Sequence, residues 1–155
     1  MLNINKKIIE IWQYSGLCDT EVVVINGANY IGKHAFSDSM RLRKVVINGY
    51  ETFIDEGCFS YCRNLNSISL SGVKELGKAS FSWCIGINEL FLDVECIDAG
   101  CFFHCSSLQR VVFSPKVHKI EERAFAACYN LNSVLFLGEM PEIGTDCFFH
   151  TKITL

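Results

Sequence analysis

Nine cysteines and four histidines are the side chains of this 155-residue chain with the most chemical potential, and their spacing suggests three kinds of chemistry. Cys58/Cys62 and Cys101/Cys105 are Cys-x-x-x-Cys pairs, a spacing that sets two thiols on one helical face, as a zinc site would use them. His104 directly precedes Cys105, which invites comparison with a thiol nucleophile and its base. Adjacent residues on a helical turn point about 100° apart, however, so the two do not face one another. The carboxylate pairs Glu121/Glu122 and Glu139/Glu142 read as solvated turns. The chain has no glycine-rich phosphate loop, His-Glu-x-x-His helix or Gly-x-Ser-x-Gly elbow. No catalytic, cofactor-binding or metal-binding residues are assigned, and the chain is not expected to be an enzyme.

The elements that would position these side chains recur. Phe36, Phe59, Phe81, Phe102, Phe125 and Phe148 each stand five residues after an aliphatic residue: Ile31, Ile54, Leu76, Ile97, Ile120 and Ile143. About six repeats of 21 to 23 residues therefore start near 31, 54, 76, 97, 120 and 143, the mark of a stacked solenoid. Counting from the aliphatic residue, position 5 is small (Ala35, Cys58, Ser80, Cys101, Ala124, Cys147), and so is position 9 (Ser39, Cys62, Cys84, Cys105, Cys128, Thr151). Position 12 is aliphatic where it is present. Steps of four and three predict a short helical turn, and the i, i+2 apolar pairs after it, such as Val45/Ile47 and Leu90/Leu92, predict a strand. The expected fold is an α/β solenoid in which short strands of a parallel sheet alternate with short helical turns. Turn residues such as Asn48-Gly49 and Ser71-Gly72 close most units, but the third repeat has Asp93-Val94 instead.

The repeat phrase resembles the BspA-like leucine-rich repeat family, most clearly in Ile31-Gly32-Lys33-His34-Ala35-Phe36 and in Ile120 through Cys128. The resemblance covers Val22 to Leu155. It implies a ligand-binding or adhesive repeat domain and leaves a cell-surface setting open. Residues 1–30 read as an N-terminal capping segment and first strand, with 31–155 as the repeats, all one domain. Ile153 and Leu155 are expected to form a final strand.

Seven of the nine cysteines fall at positions 5 and 9, where other repeats carry Ala, Ser or Thr, as small buried packing positions would. The two Cys-x-x-x-Cys pairs lie two repeats apart, about 10 Å at strand spacing, too far for one tetrahedral site with zinc–sulfur bonds of about 2.3 Å. Column neighbours such as Cys62 and Cys84 could approach disulfide range under oxidising conditions, though nothing in the spacing demands it.

Composition narrows the partners. Half the residues are apolar and the net charge is −3, with Lys and Arg scattered, so no basic stripe exists for nucleic acid. No apolar run is long enough to enter a membrane, and Lys6-Lys7 is followed only by Ile8-Ile9 before Glu10, too short for a signal-peptide core. This start favours the cytoplasm.

What remains is surface. With positions 15 and 17 inward, position 16 faces out as Val24, Val46, Ser69, Phe91, Val112 and Leu135, a mostly apolar column with polar flanks. It is the first candidate for a protein partner of unknown identity. Tyr61, Trp83 and His104, all at position 8, form a second candidate surface. Phe148, Phe149, Ile153 and Leu155 could cover the last rung by self-association, giving a homo-oligomer through the C-terminal edge. The expected role is a non-enzymatic protein–protein interaction module. The alternatives are a structural self-assembling solenoid and a fragment of a secreted or cell-surface adhesin.

Overall fold

Apolar alternation after each turn produces the strands that line the solenoid. The computed structural model describes residues 1–154, which coil through β1 (Leu2–Ile4), β2 (Ile8–Ile9), β3 (Val22–Asn26), β4 (Tyr30–Ile31), β5 (Lys44–Ile54), β6 (Ser67–Leu76), β7 (Glu89–Leu92), β8 (Cys96–Ile97), β9 (Arg110–Phe113), β10 (Lys119–Ile120), β11 (Ser133–Phe136) and β12 (Glu142–Ile143). All strand pairings are parallel, as a coil that always advances in one direction requires. Each coil contributes a longer strand over positions 14 to 17 and a short one ending at position 1, and β5 and β6 run through both.

The expected helical turns do not form: among the described residues there is no helix. Positions 3 to 9 instead follow a ribbon of tight turns in which positions 4 and 8 take positive φ. These are His34 and Asp38 (53° and 55°), Ala79 and Trp83 (52° and 62°), Arg123 and Ala127 (53° and 59°), with Gly57 and Gly100 at position 4 of the other two central repeats. Position 4, 6 and 8 amides donate to the next coil, as in Phe36 N–H to Cys58 O (2.8 Å) and Phe81 N–H to Cys101 O (2.9 Å). An amide spent between coils cannot close an i to i−4 helical bond. The four-and-three spacing of inward residues is shared by this ribbon and a helix, so periodicity alone could not separate them. Gly57 takes this turn (φ +60°) without the strain borne by His34, Ala79 and Arg123 at the same position, and a Cβ there would crowd the His34 ring.

Inside, the position-6 rings form one stack. Phe36, Phe59, Phe81, Phe102 and Phe125 are fully buried, and successive centroids from Phe36 to Phe148 are 5.1 to 5.6 Å apart with planes within 11°. Tyr14 continues the stack 5.2 Å before Phe36. Residues upstream of the first repeat follow the same path: Trp12 and Gly16 have φ of 58° and 68°, Ile9 pairs with Ile31, and Val23 and Ile25 are buried strand positions. This coil hides its kinship because tyrosine replaces the phenylalanine, and Gln13 and Leu17 replace the small residues.

At the far end, β12 is the last strand among the described residues. Residues 151–154 form none, and Lys152 N–H donates to Leu131 O (2.9 Å), so the expected final strand at Ile153 is absent and Leu155 lies outside the described residues.

Candidate functional site

The position-16 column emerges on the outer face of the long strands. Val24 lies in register with Val46, Val46 with Ser69, Phe91 with Val112 and Val112 with Leu135. Burial matches the inside–outside assignment at 15, 16 and 17: Val45, Ile47, Val111 and Phe113 are fully buried, whereas Phe91 is 61% and Leu135 52% exposed. Ser69 is exposed, and Val24, Val46 and Val112 are half-buried by their neighbours in the column. Polar residues border the column on both sides. Arg110 and Glu89 pair along one edge; Asn48 Nδ2 donates to Asn26 Oδ1 (2.9 Å) and Asn26 Nδ2 to Asn5 Oδ1 (3.0 Å) along the other.

The column is interrupted. Ser69 on β6 and Phe91 on β7 stand on neighbouring coils, yet their strands are not paired, and the long-strand face divides into β1-β3-β5-β6 and β7-β9-β11. The split leaves Ile68 and Leu70 half-exposed, although their positions are inward, and they line a cleft of about 320 Å³ with Ser69, Ser71, Phe91 and Asp93. Sequence reading missed this feature. Its trace was the third repeat, the shortest of the five complete ones and without the turn signal after its strand.

On the opposite surface Tyr61, Trp83 and His104 are brought together as expected. Tyr61 stacks on Trp83 at 5.8 Å, and Trp83 on His104 at 3.8 Å. Their left-handed backbones (φ of 61°, 62° and 59°) turn the three side chains alike, so the rings lie face to face along the solenoid. Tyr129, not singled out from sequence because it sits at position 10, meets the His104 ring edge-on at 5.5 Å.

The C-terminal group divides. Phe148 joins the internal stack and is half-buried, Phe149 is 54% exposed beside His150 on the aromatic surface, and Ile153 is half-buried.

The thiols are all free, and the seven at positions 5 and 9 are buried. Position-9 thiols donate to the Phe carbonyl of the preceding coil: Cys62 to Phe36 O, Cys84 to Phe59 O and Cys128 to Phe102 O at 3.2 Å, and Cys105 to Phe81 O at 3.3 Å. Burial pushes Cys62, Cys101 and Cys147 up to about 12, and Cys58, Cys84 and Cys105 well above the ordinary thiol value. These sulfurs are neutral packing groups with a weak donor. The fold also places Cys96 Sγ 3.5 Å from His118 Nε2, a contact the sequence did not suggest. Burial and the Glu75 carboxylate raise that thiol as well, the opposite of an activated nucleophile. Among the described residues, no group of His, Cys, Asp and Glu is placed to hold a metal ion.

A family model, the BspA type leucine-rich repeat region, matches residues 29–154 in six copies. The chain belongs to this family. No curated protein matches it. Its fold is that of a leucine-rich repeat protein of T. pallidum, with a TM-score of 0.83 and 23% identity over 92% of this chain and 69% of that one. A leucine-rich cell surface protein of Faecalibacterium prausnitzii is also similar, with a TM-score of 0.71 and 27% identity over 84% of this chain. There the chain spans 35% of the other protein's length. Within this BspA-type solenoid, the long-strand face is thus an unbroken run of repeats except at the split between β6 and β7.

Proposed function

We propose that this BspA-type chain is a non-enzymatic protein-interaction module whose partner docks on the position-16 column. The observation that supports the reading is that large apolar side chains, Phe91 and Leu135, stand exposed on a polar-bordered sheet face while every central ring of the internal stack is buried. An apolar stripe of this kind along a repeat-built sheet suits a partner protein better than a charged ligand. Leucine-rich repeat solenoids are typically non-catalytic, and the raised thiol of Cys96 gives no reason to depart from that pattern.

A cell-surface adhesive role is a second reading, favoured by the description of the Faecalibacterium prausnitzii protein as a cell surface protein. Among the described residues no helix is long and apolar enough to cross a membrane, which is compatible with either setting.

The test is comparative capture from extracts and from intact cell surfaces of the source organism, using the immobilised chain and a Phe91→Ser, Leu135→Ser variant. The serine variant should retain the wild-type circular dichroism spectrum and lose the captured protein. Equal capture by both would remove the column from the site.

A further inference from the structure

The split between β6 and β7 is a break in main-chain pairing. At the other long-strand junctions, the position-14 amide of one coil donates to the position-13 carbonyl of the coil before it. Lys44 bonds Glu21 (3.0 Å), Ser67 bonds Arg43 (3.1 Å), Arg110 bonds Asn88 (3.4 Å) and Ser133 bonds Gln109 (3.2 Å). Farther along, Ser114 N–H donates to Leu92 O (3.0 Å) and Leu137 N–H to Phe113 O (3.0 Å). The corresponding bonds from Glu89 to Asn66 and from Asp93 to Leu70 are not made, and pairing resumes only at Glu95 N–H to Lys74 O (2.7 Å).

The bonds that do form set the direction of the long-strand amides. N–H and C=O of one strand residue point to the same edge, and successive residues alternate. Along positions 14 to 18, even positions therefore aim at the preceding coil and odd positions at the following one. By that alternation Ile68 and Leu70 present their backbone groups to the cleft from one side, and Glu89, Phe91 and Asp93 from the other. Two facing rows of unsatisfied donors and acceptors are a template for another chain. The floor between them is apolar, made by Ile68 and Leu70, and the lips are Ser69, Ser71, Phe91 and Asp93. Asp93 is already engaged by Lys116 Nζ (2.7 Å), which holds its carboxyl below its ordinary value and leaves main-chain polarity as the dominant unmet demand.

We infer that the cleft binds an extended peptide segment of a partner protein, about five residues long, which inserts as a strand between β6 and β7. Only a chain that alternates donors and acceptors on both of its edges answers both rows, and one inserted strand needs two inter-strand spacings, roughly 9.5 Å. Alternate side chains of the segment point down onto Ile68 and Leu70, so its inward residues are apolar. The mode deepens the proposed interaction role and rests on it, since Ser69 and Phe91 belong to the same column.

The experiment uses a phage-displayed random heptapeptide library selected on the whole chain. The best peptide is resynthesised with single backbone N-methyl groups, and amide hydrogen exchange is followed by NMR. The amides of Ile68, Leu70 and Phe91 should exchange quickly in the free protein and become protected with peptide. N-methylation at any central peptide residue, odd or even, should weaken binding at least tenfold, because both edges of the segment are paired. Selection of no peptide, binding indifferent to N-methylation, or protection elsewhere would overturn the inference. Protection that grows with protein concentration alone would overturn it too, because the occupant would be a second copy. If Phe91→Ser abolishes peptide binding while N-methylation does not affect it, the interaction face stands and strand insertion falls. If neither change matters, both readings fall.

Discussion

Truncating one ring in the middle of the internal stack tests the architecture most directly. Phe81 is fully buried, and its centroid lies 5.1 Å from Phe59 and 5.4 Å from Phe102. Phe→Ala in a core costs about 3–5 kcal/mol, and each lost aromatic pair adds roughly 0.5–1.5 kcal/mol beyond its area. With two pairs broken and rigid coils on either side, Phe81→Ala should fall at the top of that range, about 5 kcal/mol. Phe148 is half-buried and has one stacked partner, Phe125 at 5.6 Å, so Phe148→Ala should cost roughly half as much. For a chain of 155 residues, the larger loss lowers the melting temperature by about 10–20 °C. Urea unfolding followed by circular dichroism measures both variants, and hydrogen exchange should show the coils of Phe59 and Phe102 loosening with Phe81→Ala. If Phe81→Ala costs no more than Phe148→Ala, the rings are not a cooperative stack and the reasoning fails.

Alkali should destabilise the chain. The folded thiols are raised and those of the unfolded chain are not, so the unfolded state releases protons first; stability is full below pH 9 and is lost as pH rises toward about 12. Each buried thiol contributes about 1.4 kcal/mol per pH unit across that window, and a urea midpoint unchanged between pH 8 and 11 would contradict it. Replacing Cys58 and Cys101 by alanine, the residue of Ala35 and Ala124 at that position, should flatten the pH dependence. Ala79→Gly should stabilise by roughly 0.5–1 kcal/mol, because Ala79 has φ of 52° where Gly57 and Gly100 stand in neighbouring coils. A lower urea midpoint for this variant would show that the left-handed backbone is not a source of strain.

The spacing of the phenylalanines determined a solenoid, its repeat boundaries and its inward residues, because identical coils stacked in one direction must repeat their buried side chains at one period. It also gave the outward phase of Phe91 and Leu135, since side chains alternate along a regular strand. The cysteine columns were legible for the same reason: seven thiols at two positions that elsewhere hold Ala, Ser or Thr read first as packing groups, with column disulfides left open until the structure showed free, buried thiols. Local geometry between strands was not legible. Small and apolar residues four and three apart satisfy a helix and a ribbon of left-handed turns equally, and what decides between them is whether the amides of Phe36 and Phe81 bond within the coil or to the next one. That choice is made by neighbours some twenty residues away. The coil at Ile9 to Ile25 was obscured by Tyr14 in place of phenylalanine, and only the stack with Phe36 shows the two rings to be equivalent. The split between β6 and β7 was decided by tertiary structure. Ile68, Leu70, Leu90 and Leu92 have the sequence of paired strands, and the short third repeat with Asp93-Val94 after its strand marks only where the coil is irregular; whether two coils approach along their whole length is a relation between backbones.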